Sequence, residues 1–276
     1  MKTNRLDYYN GENIVGEGNF RISASGISRF FTSTSTWFAE NLTNTQESFK
    51  GNTASTLGTI VHGILEGYVT KDPLPIEEID DYLVKQATIV DDLDINYINH
   101  QYPIMATVAM QYLANNLDGS EVAEEFLVRE LRSGIYVGGS CDLYTDNKVI
   151  DYKTTSAKSP PKSIAYAHKL QLLTYATLLK AKGINIQYME IVYITTDITG
   201  EISEKTGKQL KSYPSNVVVL TEPILKEDLE MITNIHELIG ESVALFRDAP
   251  ELRHLLSQDL RLKNIQCTID KSEEEI

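Results

Sequence analysis

Ile135-Tyr136-Val137-Gly138-Gly139-Ser140-Cys141-Asp142-Leu143-Tyr144, then Thr145-Asp146-Asn147, then Lys148-Val149-Ile150-Asp151-Tyr152-Lys153 is the stretch on which the fold reading turns. Before it, apolar residues recur at helical spacing; here the repeat falls to two. Glu125 to Glu130 is a similar short run, separated by the turn-like Arg132-Ser133-Gly134. The three runs predict an antiparallel three-stranded meander. Asp142 then lies near the end of one strand and Asp151 on its neighbour, so the carboxylates converge at one sheet edge. Residues two apart in a strand share a face, which sets Lys153 beside Asp151.

Paired carboxylates hold a hard divalent cation through oxygen. Such a cation polarises a phosphoryl oxygen and acidifies bound water, and a lysine beside it orients the water or offsets developing charge. That combination points to metal-assisted phosphodiester hydrolysis. Taken alone, an Asp-x-Lys strand is equally an exposed ion pair, and two further motifs weigh against that. In Gly58-Thr59-Ile60-Val61-His62-Gly63-Ile64-Leu65-Glu66, His62 and Glu66 share one face of a helix. Its glycines imply close packing against another backbone. A neutral imidazole there would add a third metal ligand. In a later helix Gln171 and Tyr175 share a face, with His168 one turn earlier. They read either as a polar seam or as uncharged groups that hold Lys153 or a phosphate.

Working outward, Arg21 to Leu42 reads as an aromatic-rich helix capped by Ser25 and interrupted by the loop-like Thr32-Ser33-Thr34-Ser35-Thr36. Asn52 to Val69 reads as a helix capped by Thr53 or Ser55. An acidic linker and short helix follow, then a helix over Tyr97 to Leu117 broken near Pro103. After the meander come an amphipathic helix, Ser163 to Lys182, stopped by Gly183; a strand, Gln187 to Thr195; a polar hairpin excursion to Asn216; a strand, Val217 to Leu220; and a helix, Lys226 to Phe246. The tail from Asp270 reads as frayed. This describes one α/β domain over 1–276, with a mainly helical part at 20–120, a sheet core at 121–220 and C-terminal helices and tail at 221–276.

The chain has 276 residues, 42% of them apolar and 23% charged, which excludes disordered, collagen-like and coiled-coil classes. Neither a long apolar span nor a signal peptide is visible, so a cytoplasmic protein is expected. Two cysteines, Cys141 and Cys267, are too few for a four-cysteine cluster. The net charge of −14 by itself argues against nucleic acid. Its distribution is uneven. Lys71 to Glu130 holds 13 acidic and 3 basic residues, whereas Tyr152 to Met189 holds no acid and six lysines: Lys153, Lys158, Lys162, Lys169, Lys180 and Lys182. That run is either a solvated lysine face or a surface that meets a polyanion.

The motifs Gly-x-x-x-His62, Gly139-x-x-Asp142, Asp151-x-Lys153 and Gln171-x-x-x-Tyr175, in this order behind Ser23-Ala24-Ser25-Gly26-Ile27, resemble the RecB-like branch of the PD-(D/E)XK nucleases over roughly Arg21 to Val219. The resemblance implies a restriction-endonuclease-like core, a mixed sheet of four or five strands flanked by helices. It implies that His62, Asp142, Asp151 and the main-chain carbonyl of Tyr152 bind Mg²⁺ or Mn²⁺. Lys153 would be the catalytic lysine, and Gln171 and Tyr175 would complete the site. Glu66 falls to a supporting or second-metal role, and Lys158, Lys162, His168 and Lys169 to the DNA phosphates. The family's iron–sulfur cysteines have no counterpart here, so no iron–sulfur cluster is expected, and no helicase motif is present. The implied function is a free-standing, phage- or bacteria-like exonuclease acting on single- or double-stranded DNA ends in recombination, repair or replication. It would leave 5′-phosphates, work with a single-strand annealing or binding protein, and need no membrane; an oligomer is compatible. The alternatives are a structure-specific endonuclease and a non-catalytic DNA-binding or scaffold protein on the same fold.

Overall fold

The computed structural model describes residues 4–6, 19–42, 51–117, 119–200 and 208–249. Cys267, the tail from Asp270 and residues 201–207 of the 196–216 excursion lie outside them. Among the described residues the chain order is β1 (Phe20–Ser23), α1 (Ile27–Thr32), α2 (Thr34–Leu42), α3 (Thr53–Thr70), α4 (Ile76–Ala87), α5 (Ile95–Asn116), β2 (Val122–Arg132), β3 (Ile135–Tyr144), β4 (Lys148–Thr155), α6 (Tyr166–Ala181), β5 (Tyr188–Thr195), β6 (Val217–Pro223) and α7 (Lys226–Asp248). No described helix is long and apolar enough to cross a membrane.

The strands form one six-stranded mixed sheet. β2, β3 and β4 make the expected antiparallel meander. The sheet grows from β4 by parallel pairing to β5 and antiparallel pairing to β6. It has more strands than expected because β1, too short to show a period, adds in parallel to the start of β3. One face packs against α1, α2, α6 and α7 through Ile22, Trp37, Phe38, Leu173, Ile191 and Ile239. The other packs against α3, α4 and α5 through Ile60, Leu65, Leu83, Met105, Ile150 and Val192.

Several local expectations change. α3 is capped by Asn52, whose side chain accepts from Ser55 N at 2.8 Å while Ser55 Oγ accepts from Asn52 N at 2.8 Å. Thr53 and Ser55 are thus the first and third residues inside the helix. Ser25 caps no helix; it lies in a 3₁₀ turn with its hydroxyl 3.0 Å from that of Ser23. The Thr-Ser run breaks the chain only at Ser33. α5 runs unbroken through Pro103, which sits on its exposed side. Proline has no N–H to give the carbonyl of Asn99, one turn earlier, and Asn99 is exposed as well.

The largest departure is α6. Leu170 to Leu179 is buried without interruption, with the sheet on one side and α7 behind. An amphipathic helix was expected. A helix buried all round has no place for unpaired carboxylates, which accounts for much of the acid-free run without a polyanion.

Candidate active site

Next in register after the Leu143–Ile150 and Tyr144–Val149 pairs, Asp142 and Asp151 would face each other, but the β3–β4 ladder stops there. On the same side of β3, the pairing with β1 has already ended at Gly138. Residues 139 to 142 therefore border a fork in the sheet, with backbone groups that need other partners. Side chains supply them. The Asp142 carboxylate accepts from Tyr152 N at 2.8 Å, and the Tyr175 hydroxyl donates to the Ser140 carbonyl at 2.5 Å. Gly139 leaves room for that hydroxyl, since a Cβ there would lie 3.2 Å from it.

α3 and α6 close the fork from opposite faces of the sheet. α3 brings His62, whose Nδ1 is 3.5 Å from Asp142 Oδ2 and whose ring meets Tyr152 edge-on at 5.9 Å. Of the two motif glycines only Gly58 faces β4, where a Cβ would lie 3.3 Å from Thr154 Oγ1; Gly63 faces Leu6, at 2.6 Å, and both meet side chains rather than the backbone expected. α6 brings Gln171, which donates to Asp151 Oδ1 at 3.0 Å and stands 3.4 Å from the Tyr175 hydroxyl. Lys153 Nζ lies 2.6 Å from Asp151 Oδ2. These groups line a cleft of about 530 Å³ whose rim carries Glu66, Arg21, Ser23 and Ser25.

Burial sets the charges. Asp142 is 8% exposed and Asp151 1%. Desolvation raises both carboxyls above their ordinary range against the pull of Lys153. Desolvation also opposes the charge on Lys153, but Asp151 and Asp142 outweigh it and hold the ammonium above its usual value. His62 is pushed down to about 4, by burial first and by Lys153 second, so its imidazole is neutral and able to ligate.

One acid at the fork has no counterpart in the sequence reading. Glu124 lies on β2 opposite Asp142. Its neighbours Ala123 and Glu125 pair with Leu143 and Cys141, yet Glu124 itself is missing from the ladder and has φ of +50°. That left-handed turn within a strand brings one ligand atom each of Glu124, His62 and Asp142 within 4.8 Å of one another. Strand alternation assigns Glu124 and Glu125 to opposite faces without saying which one serves a site. In the structure Glu125 faces away, bonding the Tyr144 hydroxyl and Lys182.

The remaining expected residues divide. Glu66 lines the cleft beside His62. His168 is half-buried, with Nδ1 3.3 Å from the Tyr193 hydroxyl, and its pKa is lowered by burial and by Lys153. Lys158 and Lys162 are exposed in the loop before α6, outside the cleft. Lys169 is turned to Glu222 at 3.7 Å and Asp228 at 3.2 Å. The cations that do line the cleft are Arg5, Arg21 and Lys153.

Two carboxylates and a neutral imidazole converging on one point suit a hard or borderline divalent cation. Asp151 Oδ2 adds a buried oxygen that is held by the Lys153 ammonium at 2.6 Å. The residues present fit such an ion. Cys141, by contrast, is a buried strand residue whose thiol is pushed up by burial and by Asp142.

The family model of the PD-(D/E)XK nuclease superfamily matches residues 21–261. No curated protein matches the chain. Among solved structures, a presumptive exonuclease from Eubacterium rectale is similar with a TM-score of 0.54 and 14% identity, over 90% of this chain and 87% of that one. The alkaline exonuclease LHK-Exo of Laribacter hongkongensis aligns with a TM-score of 0.35 and 9% identity, over 75% and 98% of the two chains. The chain belongs to the PD-(D/E)XK nuclease superfamily, a group of nucleases that use divalent metal ions.

Proposed function

We propose that this superfamily member is a Mg²⁺- or Mn²⁺-dependent deoxyribonuclease that degrades DNA from its ends. The observation that carries the reading is the fork itself: two buried carboxylates, a neutral histidine and a half-buried lysine ammonium where the β3–β4 ladder stops. His62, Glu124 and Asp142 would hold the cation, with Asp151 and the Tyr152 carbonyl as the further ligands that the family resemblance implies. When bound, the ion supplies positive charge to the phosphoryl oxygen and acidifies the attacking water. Lys153 then orients that water or meets the charge growing on phosphorus. Gln171 fixes Asp151, and Tyr175 fixes the strand that carries Asp142. Attack in line with the P–O3′ bond leaves a 5′-phosphate. End processing in recombination, repair or replication is the setting this activity suits, alongside a single-strand binding or annealing protein.

End-labelled linear DNA and closed circular DNA, incubated with Mg²⁺, Mn²⁺ or EDTA, test it. Metal-dependent shortening of the linear substrate alone is expected. Asp151→Asn and Lys153→Met are expected to lower the rate by about 10²–10³-fold or more with folding intact. Nicked circles would make the enzyme an endonuclease, and full activity in either folded variant would remove the site assignment.

A further inference from the structure

A second cleft, about 640 Å³, lies between β2, α6 and α7. A helix advances about 100° per residue. Thr177, Lys180 and Ala181, which line this cleft, therefore lie on the side of α6 turned away from Gln171 and Tyr175. No residue is common to the two clefts.

The second cleft is cationic in an acidic protein. Arg129, Lys180 and Lys226 line it, against the single carboxylate of Glu230, which already pairs with Lys226 at 3.2 Å. Arg129 Nε and Nη2 are buried and meet no acceptor among the described residues. The titratable group nearest in effect is His236, which is wholly buried and whose Nε2 is 3.1 Å from Thr174 Oγ1. That hydroxyl donates to the Leu170 carbonyl at 2.8 Å, so the histidine proton is on Nε2. Burial first, and Arg129 second, push the His236 pKa down to about 4, so the ring is neutral and supplies no counter-charge. Thr177 and Thr233 donate to carbonyls of their own helices, each at 2.7 Å. The donors left for a ligand are the guanidinium, the ammonium groups and the Asn234 amide.

A buried, unanswered guanidinium is unfavourable unless something completes it. We propose that this cleft binds a phosphate monoester or inorganic phosphate dianion, independently of the nuclease site. A carboxylate brings one charge to three cations. A phosphate monoester brings nearly two at neutral pH, with three acceptor oxygens that match the planar fork of an arginine. The volume suits a small molecule rather than a bare ion. Leu229 and Ala181 supply an apolar wall for a nucleoside beside the cationic end.

Isothermal titration of the full chain in EDTA with inorganic phosphate, dAMP and deoxyadenosine tests the proposal. Both phosphates are expected to bind and the nucleoside to be silent. Arg129→Met should weaken binding about tenfold or more, and Lys180→Ala a few-fold. Arg129→Met should also retain nuclease activity and be at least as heat-stable as the parent without ligand, because it removes an unanswered charge. Lys153→Met, in the other cleft, should bind dAMP as the parent does. Tighter binding of dAMP than of phosphate identifies the ligand as a nucleotide; equal binding identifies it as phosphate. Silence of both phosphates, binding of deoxyadenosine as tight as that of dAMP, or unchanged affinity in Arg129→Met would overturn the proposal. Should Arg129→Met not fold, unchanged affinity in Lys180→Ala, a change at an exposed side chain, overturns it too.

Discussion

Glu124 carries two unfavourable features at once. A non-glycine residue in the left-handed region costs roughly 1–2 kcal/mol, and its φ is +50°. Like charges directly opposite across two strands also repel, and its partner across β2 and β3 is Asp142, with Cys141 and Leu143 paired on either side. Strain and repulsion at one residue are explained together if a cation sits between the carboxylates. Glu124→Asn keeps a residue that tolerates the left-handed region and removes the charge. In EDTA the variant should be more stable by about 1 kcal/mol. Its Mn²⁺ affinity, read by calorimetry or by the manganese EPR signal, should fall on the order of tenfold or more. Unaltered Mn²⁺ affinity would show that Glu124 is not a ligand. At this scale His62, Asp142, Asp151 and Lys153 were readable because their spacing and strand register are printed in the sequence. Glu124 was not, because a single backbone dihedral decides which way it points.

The element that makes the site is the fork between β3 and β4, and Tyr175 of α6 is its keystone. Its hydroxyl donates to the Ser140 carbonyl, beyond the point where β1 leaves β3. Ser140 is exposed on the cleft, so losing this hydrogen bond costs about 0.5–1.5 kcal/mol. Tyr175→Phe should lower stability by that amount, seen as a lower urea midpoint at unchanged slope. It should slow cleavage and weaken Mn²⁺ binding together, because the strand that the hydroxyl fixes carries Asp142. A variant as stable as the parent would show that water replaces the hydroxyl. The meander, the helix order and the stop at Gly183 (φ +87°) were legible from alternation and turn residues. Two features were not. β1 is four residues long and owes its strand form to β3. α6 shows lysines towards its ends and, between them, leucines interspersed with Gln171, Thr174, Tyr175 and Thr177, a pattern shared by an amphipathic surface helix; only its place between the sheet and α7 separates the cases. The lysines of the acid-free run accordingly differ in role. Lys153 faces Asp151, Lys169 and Lys182 are paired to acids of other elements, and Lys180 lines the second cleft.

At the scale of the whole molecule, the sheet is the layer that the two apolar cores of the described residues share. Trp37, the sole tryptophan in the sequence, lies in the core with α6 and α7, while Leu65 of α3 lies in the core with α4 and α5. The groups proposed for catalysis come from both sides, His62 from one layer and Gln171 and Tyr175 from the other, so the proposed site requires the layers to hold a fixed relation through β3 and β4. If the layers fold as one unit, damage to one is felt equally in the other. Leu65 is fully buried, and Leu65→Ala should cost about 2–5 kcal/mol. Its effect should appear at the same denaturant midpoint in Trp37 fluorescence, which reports the opposite layer, and in far-ultraviolet circular dichroism, which reports the whole chain. Two separated midpoints, with the Trp37 transition unmoved, would mean that the α3–α5 layer opens on its own. The nuclease site would then be assembled only when that layer docks, and the docking equilibrium, rather than the chemistry at Lys153, would be the first place to look for control of its activity.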